Sequence, residues 1–192
     1  MLDGVDLSTL GLSDVRGRRN GMFILPQDPA VFAGTIRTNL DPFDSLSDEG
    51  IIEALRLVKF PGFDRGNELL KIEVEDRGCN LSQGEKQLLC LARAMLANPR
   101  VLVLDEASAA IDRETDSFIQ KMLRSQFPNT TLLTIAHRLN TIIDYDKIIV
   151  MDKGRVAEIG SPRELLGYNG MFTDMVNATG SDSAAELKLL AK

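Results

Sequence analysis

The run Val101-Leu102-Val103-Leu104, followed directly by Asp105-Glu106, constrains the fold more than any other feature of this chain. It is apolar at every position, so it does not alternate as a half-exposed strand would. It is also too short for a buried helix. A strand buried on both faces fits it, and such strands belong to parallel sheets covered by helices. The segments around it agree. Arg113 to Ser125 has a helical pattern, Thr130-Thr131-Leu132-Leu133-Thr134-Ile135 reads as a strand, and Lys147-Ile148-Ile149-Val150-Met151 reads as another. Alternating β and α segments predict an α/β fold built on a parallel sheet.

The rest of the chain falls into place around this alternation. Up to about Ala33 it holds short apolar pieces, and Met22-Phe23-Ile24-Leu25 before Pro26 reads as a strand running into a loop. From about Gly34 to Pro99 it is mostly helical. Ser47-Asp48-Glu49 opens a helix in which Ile51, Ile52, Leu55 and Val58 recur at helical spacing, and Pro61-Gly62 stops it. A second helix begins near Ser82, carries Leu88, Leu91, Ala92 and Met95 on one face, and ends at Asn98-Pro99. Further on, Asp152-Lys153-Gly154-Arg155 predicts a hairpin turn into Val156-Ala157-Glu158-Ile159. Ser161-Pro162-Arg163-Glu164 starts another helix with a capping box and Pro at its first position. From about Thr179 the tail is polar, then mildly helical. No internal repeat is visible.

Composition removes several classes of function. The net charge is −6 and the pI about 4.9, which argues against a nucleic-acid binder working by overall charge. The one dense basic cluster, Arg16, Arg18 and Arg19, reads as a solvated turn. The longest unbroken apolar stretch is Leu88 to Ala92, far short of the ~20 residues that a membrane-spanning helix needs. The start, Met1 to Asp6, is acidic and lacks the plan of a secretion signal. Cys79 and Cys90 fit neither a zinc pattern nor a disulfide framework, so a reducing compartment such as the cytosol is the default.

Four places can carry chemistry. Asp105 and Glu106 stand at the carboxyl end of a buried strand, where ligands bind in open α/β sheets. A carboxylate there can hold Mg²⁺ through hard oxygen ligation. One beside it can take a proton from an attacking water. The same residues could also be only the polar end of a strand. Asn80-Leu81-Ser82-Gln83-Gly84-Glu85 holds an S-x-x-E capping box. Gly84 keeps the first turn bare, and a bare helix start beside a hydroxyl suits an anion. An ordinary well-capped helix would look the same. His137 is the single histidine and follows a strand, where it can contact a phosphate oxygen or serve as a structural hydrogen-bonder. Gln27 sits in the proline-bounded loop Leu25-Pro26-Gln27-Asp28-Pro29.

The order of these pieces is more specific than any one of them. Gln27, the Ser82 helix, Asp105-Glu106, Ser108 to Asp112 and His137 together resemble the nucleotide-binding domain of ATP-binding cassette (ABC) proteins, from Leu2 to about Val176. Gln27 matches that family's Q-loop, Leu81 to Glu85 its signature sequence, and Val101 to Glu106 its Walker B motif. Ser108 to Asp112 matches the D-loop, and His137 the switch histidine. Gly34-Thr35-Ile36-Arg37-Thr38-Asn39-Leu40-Asp41-Pro42-Phe43 resembles the second nucleotide-binding domain of exporters similar to multidrug-resistance-associated proteins, the C subfamily.

The resemblance implies a P-loop NTPase-type sheet core with an inserted helical subdomain over about 34–99. It also implies a domain over 1–178 and a tail over 179–192. The implied function is ATP binding and hydrolysis that drives export, at the cytoplasmic face of a membrane. The partners would be a second nucleotide-binding domain and transmembrane domains, and the cofactors ATP and Mg²⁺. Asp105 would hold the Mg²⁺, and Glu106 would be general base on the attacking water. Gln27 would contact metal and water and relay the state to the membrane domains. His137 would contact the γ-phosphate. Within the signature stretch, which includes Gln83 and Glu85, Ser82 and Gly84 would bind the γ-phosphate held by the opposite domain, and Asp112 would cross that interface.

The sequence departs from the family in three ways. It contains no G-x-x-x-x-G-K-[ST], the loop that cradles the β- and γ-phosphates. In the family that loop, with the adenine-stacking aromatic, lies upstream of the point where this chain begins. The resemblance therefore implies a domain cut after its first nucleotide-binding element, inactive alone. The alternative is a P-loop-less binding module that pairs with another nucleotide-binding domain. The stretch between Arg16 and Pro26 is longer than the family pattern. Finally, the signature usually ends in Gln where this chain has Glu85. At ~6 Å and an effective dielectric of ~20, its charge and a phosphate charge would repel by ~3 kcal/mol.

Overall fold

The computed structural model describes residues 4–15, 21–105 and 113–191. The chain forms two compact units, Met1–Ile135 and Ala136–Lys192.

In the first unit the elements are α1 (Leu12–Val15), β1 (Met22–Leu25), β2 (Gly34–Thr35), α2 (Ile36–Leu40), α3 (Asp48–Leu57), α4 (Asn67–Leu70) and β3 (Glu73–Val74). They continue with α5 (Gln83–Ala97), β4 (Val101–Asp105), α6 (Arg113–Gln126) and β5 (Thr131–Ile135). Strands β1, β4 and β5 make one parallel sheet with β4 in the middle. The register runs from Met22 opposite Val101 to Leu25 opposite Leu104, and from Val101 opposite Thr131 to Asp105 opposite Ile135. Val101, Leu102 and Leu104 are buried, as the apolar run predicts.

Helix α5 sits at the centre of this unit. It packs on β1 and α6, and also on α2 and α3. This placement corrects the single-face reading of α5. Leu88, Leu91 and Ala92 are buried, but so are Leu89, Cys90 and Ala94, while Met95 is only partly covered. A helix with neighbours on several sides is apolar nearly all round. Its ends follow the sequence signals. Ser82 Oγ accepts from the Glu85 amide at 3.2 Å, and Glu85 Oε2 accepts from the Ser82 amide at 2.8 Å. Asn98 closes the helix in the left-handed conformation (φ 44°), just before Pro99.

The helical stretch that precedes α5 is anchored by short polar devices. Thr35 and Thr38 cap α2 reciprocally, and Ser47 Oγ caps α3 by accepting from the Gly50 amide. The buried Asp41 carboxylate accepts from the amides of Ser45 and Leu46 at 2.6 and 2.7 Å. Ile51, Leu55 and Val58 point into the core, as their spacing predicts. The two-residue strands β2 and β3 pair antiparallel, Gly34 with Val74 and Thr35 with Glu73. No sequence period announces strands of that length.

The second unit holds α7 (Leu139–Ile142), β6 (Ile148–Asp152), β7 (Arg155–Gly160), α8 (Pro162–Gly167), α9 (Met171–Asn177) and α10 (Ser181–Leu190). β6 and β7 form the predicted hairpin, with both Lys153 and Gly154 at positive φ in its turn. Its core gathers Ile143, Ile148, Val150, Leu165, Phe172 and Val176, and Ala184 and Leu187 of α10 join it. The Glu158 carboxylate accepts from the amides of Met171 and Phe172 and so caps α9.

Candidate functional site

Parallel strands β1 and β4 end side by side, so their carboxyl ends open onto the same edge of the sheet. Asp105 is the last residue of β4 and is exposed there. Leu25 ends β1 opposite Leu104, and Gln27 follows two residues later, also exposed. Asp105 and Gln27 therefore leave neighbouring strands at one end, and both carry hard oxygen donors. Glu106 and Asp112, with the stretch Ser108 to Asp112, lie outside the described residues, as does the cluster of Arg16, Arg18 and Arg19.

The start of α5 is tied to this edge. Gln87 lies one turn into the helix and is 3% exposed. Its Nε2 donates to the Gln27 carbonyl at 3.2 Å and to the Pro26 carbonyl at 3.4 Å. The helix that begins with Ser82, Gln83, Gly84 and Glu85 thus holds the backbone of the loop that bears Gln27. A Cβ at Gly84 would meet only Thr115 Cγ2, at 3.9 Å, so no crowding inside the chain demands glycine there. What glycine leaves is an open first turn. Ser82 is exposed, and its hydroxyl and the Glu85 carboxylate are both engaged in the capping box.

A second clamp holds the far end of the same loop. Arg93 Nε donates to the Asn39 carbonyl at 2.7 Å, its Nη2 to Asn39 Oδ1 at 2.9 Å, and its Nη1 to the Ala30 carbonyl. Its guanidinium also lies 5.4 Å from the centre of the Phe32 ring. Asn39, itself buried, donates to the carbonyls of Phe32 and Thr35 and accepts from the Phe32 amide. Burial draws the Arg93 pKa down, and burial pushes the Cys90 thiol beside it up. Sequence reasoning missed Gln87, Arg93 and Asn39. For Gln87 and Arg93 the available signal was a polar residue standing inside an otherwise apolar helical pattern; Asn39, in the mixed stretch Ile36 to Leu40, had no such signal.

His137 follows β5 by two residues and is exposed, within the second unit. Among the described residues no three His, Cys, Asp or Glu side chains gather into a metal cluster. No helix of the described residues is long and apolar enough to cross a membrane.

Comparison with known proteins decides the family. Residues 1–109 match the family model described as ABC transporter. The chain belongs to the ABC transporter family. This ABC transporter chain is 50% identical over 190 residues to mouse (Mus musculus) ATP-binding cassette sub-family C member 2, covering 98% of itself and 12% of that protein. It is 49% identical over 180 residues to human (Homo sapiens) sub-family C member 3, covering 93% of itself and 12% of that protein. These relatives bear out the subfamily implied by Gly34 to Phe43. A solved bacterial Atm1-family ABC exporter with ATP bound superposes with a TM-score of 0.74 at 36% identity, over 83% of this chain and 28% of that one. The sheet and helices of the ABC transporter chain are thus those of a P-loop NTPase fold. The chain spans about an eighth of the length of the curated relatives it matches.

Proposed function

We propose that this chain forms part of the ATP-binding and ATP-hydrolysing domain of an ABC exporter, at the cytoplasmic face of a membrane. It would pair there with a second nucleotide-binding domain and with transmembrane domains. The observation that carries the reading is the meeting of three features at one place. Asp105 ends the central strand, Gln27 leaves the adjacent strand at the same edge, and the Ser82 helix grips the Gln27 loop through Gln87. Similarity to sub-family C proteins and to an exporter with ATP bound supports it.

The donor set suits Mg²⁺, which takes one or two protein oxygens and fills its other positions with water and phosphate. Asp105 and Gln27 offer those oxygens from adjacent strand ends. Held there, the ion would supply positive charge to offset that of the nucleotide's phosphates. Glu106 follows Asp105 directly and is the base that takes a proton from the attacking water. Gln27 orients that water. Ser82 and Gly84 present the open first turn of α5 to a γ-phosphate held by the opposite domain, where helix amides favour an anion. By the resemblance, His137 would contact the γ-phosphate of its own domain's nucleotide, and Asp112 would cross the interface near the opposite domain's nucleotide. The second reading is a binding module without turnover, which would offer the open first turn of α5 to a phosphate held by another nucleotide-binding domain.

Two measurements test the proposal. An immunoblot against 179–192 sizes the native polypeptide, and we expect a membrane-fraction band far above 21.1 kDa. In that polypeptide Glu106→Gln is expected to lower ATP turnover by at least about 10²-fold, the scale of losing a general base, while ATP still binds. Unchanged turnover overturns the reading. A soluble band at the size of this chain moves it to the binding module, for which ATPase assay of the chain finds nothing above background.

A further inference from the structure

We propose that Gln87 is a positioning residue for Gln27: it fixes the backbone of the Gln27 loop to α5, so that the two respond to nucleotide as one piece. The proposal rests on the reading of Gln27 as the residue that meets metal and water.

Residues 26–33 form neither helix nor strand. A loop of that kind takes its shape from whatever its carbonyls and amides bind. Here the partners are side chains of two helices. Gln87 holds the carbonyls of Pro26 and Gln27 at the start, Arg93 holds that of Ala30, and Asn39 takes both the amide and the carbonyl of Phe32. Gln87 and Arg93 stand six positions apart, about 9 Å along the helix axis. A rigid helix spanning both anchors sets the path of the loop between them.

Packing alone does not call for Gln87. Leu88, Leu89 and Leu91, which follow it in the helix, are buried and apolar, so a buried polar residue at 87 is the exception in this stretch. A buried carboxamide costs free energy unless its donors are used. The two carbonyls that use them belong to Gln27 and to the residue before it. Ser82 starts the same helix one turn earlier, so a displacement of the helix start is carried to the Gln27 backbone without an intervening joint.

The test uses the exporter polypeptide that carries this chain, with Gln87→Met to keep the volume and remove the donors, and Gln87→Asn to keep the amide and shorten its reach. Turnover and hydrogen exchange are both read. With either variant, the Phe32 amide, which donates to Asn39 at the far end of the loop, is expected to exchange about tenfold faster, while amides in the middle of α5 do not change. For ATP hydrolysis, kcat falls about tenfold and KM stays within about twofold, since Gln87 touches no nucleotide. In a Gln27→Ala background, Gln87→Met then lowers kcat no further, because it acts only through Gln27. Additive losses in that double variant overturn the proposal, and so does unchanged exchange at Phe32. If the unmodified polypeptide hydrolyses no ATP, the proposed function fails by itself, and the exchange measurement still decides whether Gln87 holds the loop.

Discussion

Glu85 serves the fold and would burden the function at the same time. Its carboxylate accepts from the Ser82 amide at 2.8 Å and so completes the cap of α5. A glutamine oxygen can accept the same bond, and capping boxes use either residue. Only Glu85 brings a negative charge to the helix start that the proposed function offers to phosphate. Glu85→Gln is therefore expected to leave thermal stability within about 0.5 kcal/mol of the original. In the complete exporter it should raise ATP affinity or turnover by easing closure of the two domains. A melt paired with ATP titration and steady-state hydrolysis measures both, and unchanged affinity and turnover would sink the electrostatic argument. Ser82 and Glu85 were readable in the sequence because a capping box is a local pattern. Asn39 and Arg93 were not. A polar residue within a helix can face water or a buried carbonyl, and only its tertiary partners decide which.

At the scale of elements, α5 is where the sheet and the helical stretch meet. Its length, both its ends and its apolar character follow from the sequence; its burial on several sides does not, because a period reports one face at a time. Strands β1, β4 and β5 and helices α3, α6 and α8 were legible for the same local reasons of period, breakers and caps. β2 and β3 were invisible, since two residues carry no period. The clamp of Asn39 and Arg93 joins α2, α5 and the loop between β1 and β2. Asn39→Ala leaves the Phe32 amide and carbonyl and one arm of Arg93 without a partner. At about 1–3 kcal/mol for each buried group left unsatisfied, we expect a loss of at least about 3 kcal/mol. Urea unfolding followed by helical circular dichroism measures it, and a shift below about 1 kcal/mol means that water or a neighbour replaces the amide.

For the molecule as a whole, β5 is one of the two edges of the parallel sheet. Among the described residues it pairs with β4 alone. Its Leu133 and Ile135 are 52% and 54% exposed, and its sequence contains no proline or charge to discourage pairing with another chain. Flat apolar edges of this kind promote aggregation. The 192-residue chain expressed alone is therefore expected to aggregate, and Leu133→Lys to slow this several-fold by light scattering, as an edge charge does. A soluble monomer with a cooperative melt before any substitution would contradict the expectation.

The β2–β3 pairing has a consequence of another kind. Backbones paired across antiparallel strands lie about 5 Å apart, so the chain leaves for its helical excursion at Gly34 and returns at Val74 through a single doorway. What lies between is also held along α5, on which α2 and α3 pack and to which Asn39 is clamped by Arg93. A turn within it away from those anchors, such as Pro61 to Gly66, can be lengthened, shortened or rewritten in the course of evolution without moving either doorpost, and so without disturbing Gln27 on one side or Ser82 on the other.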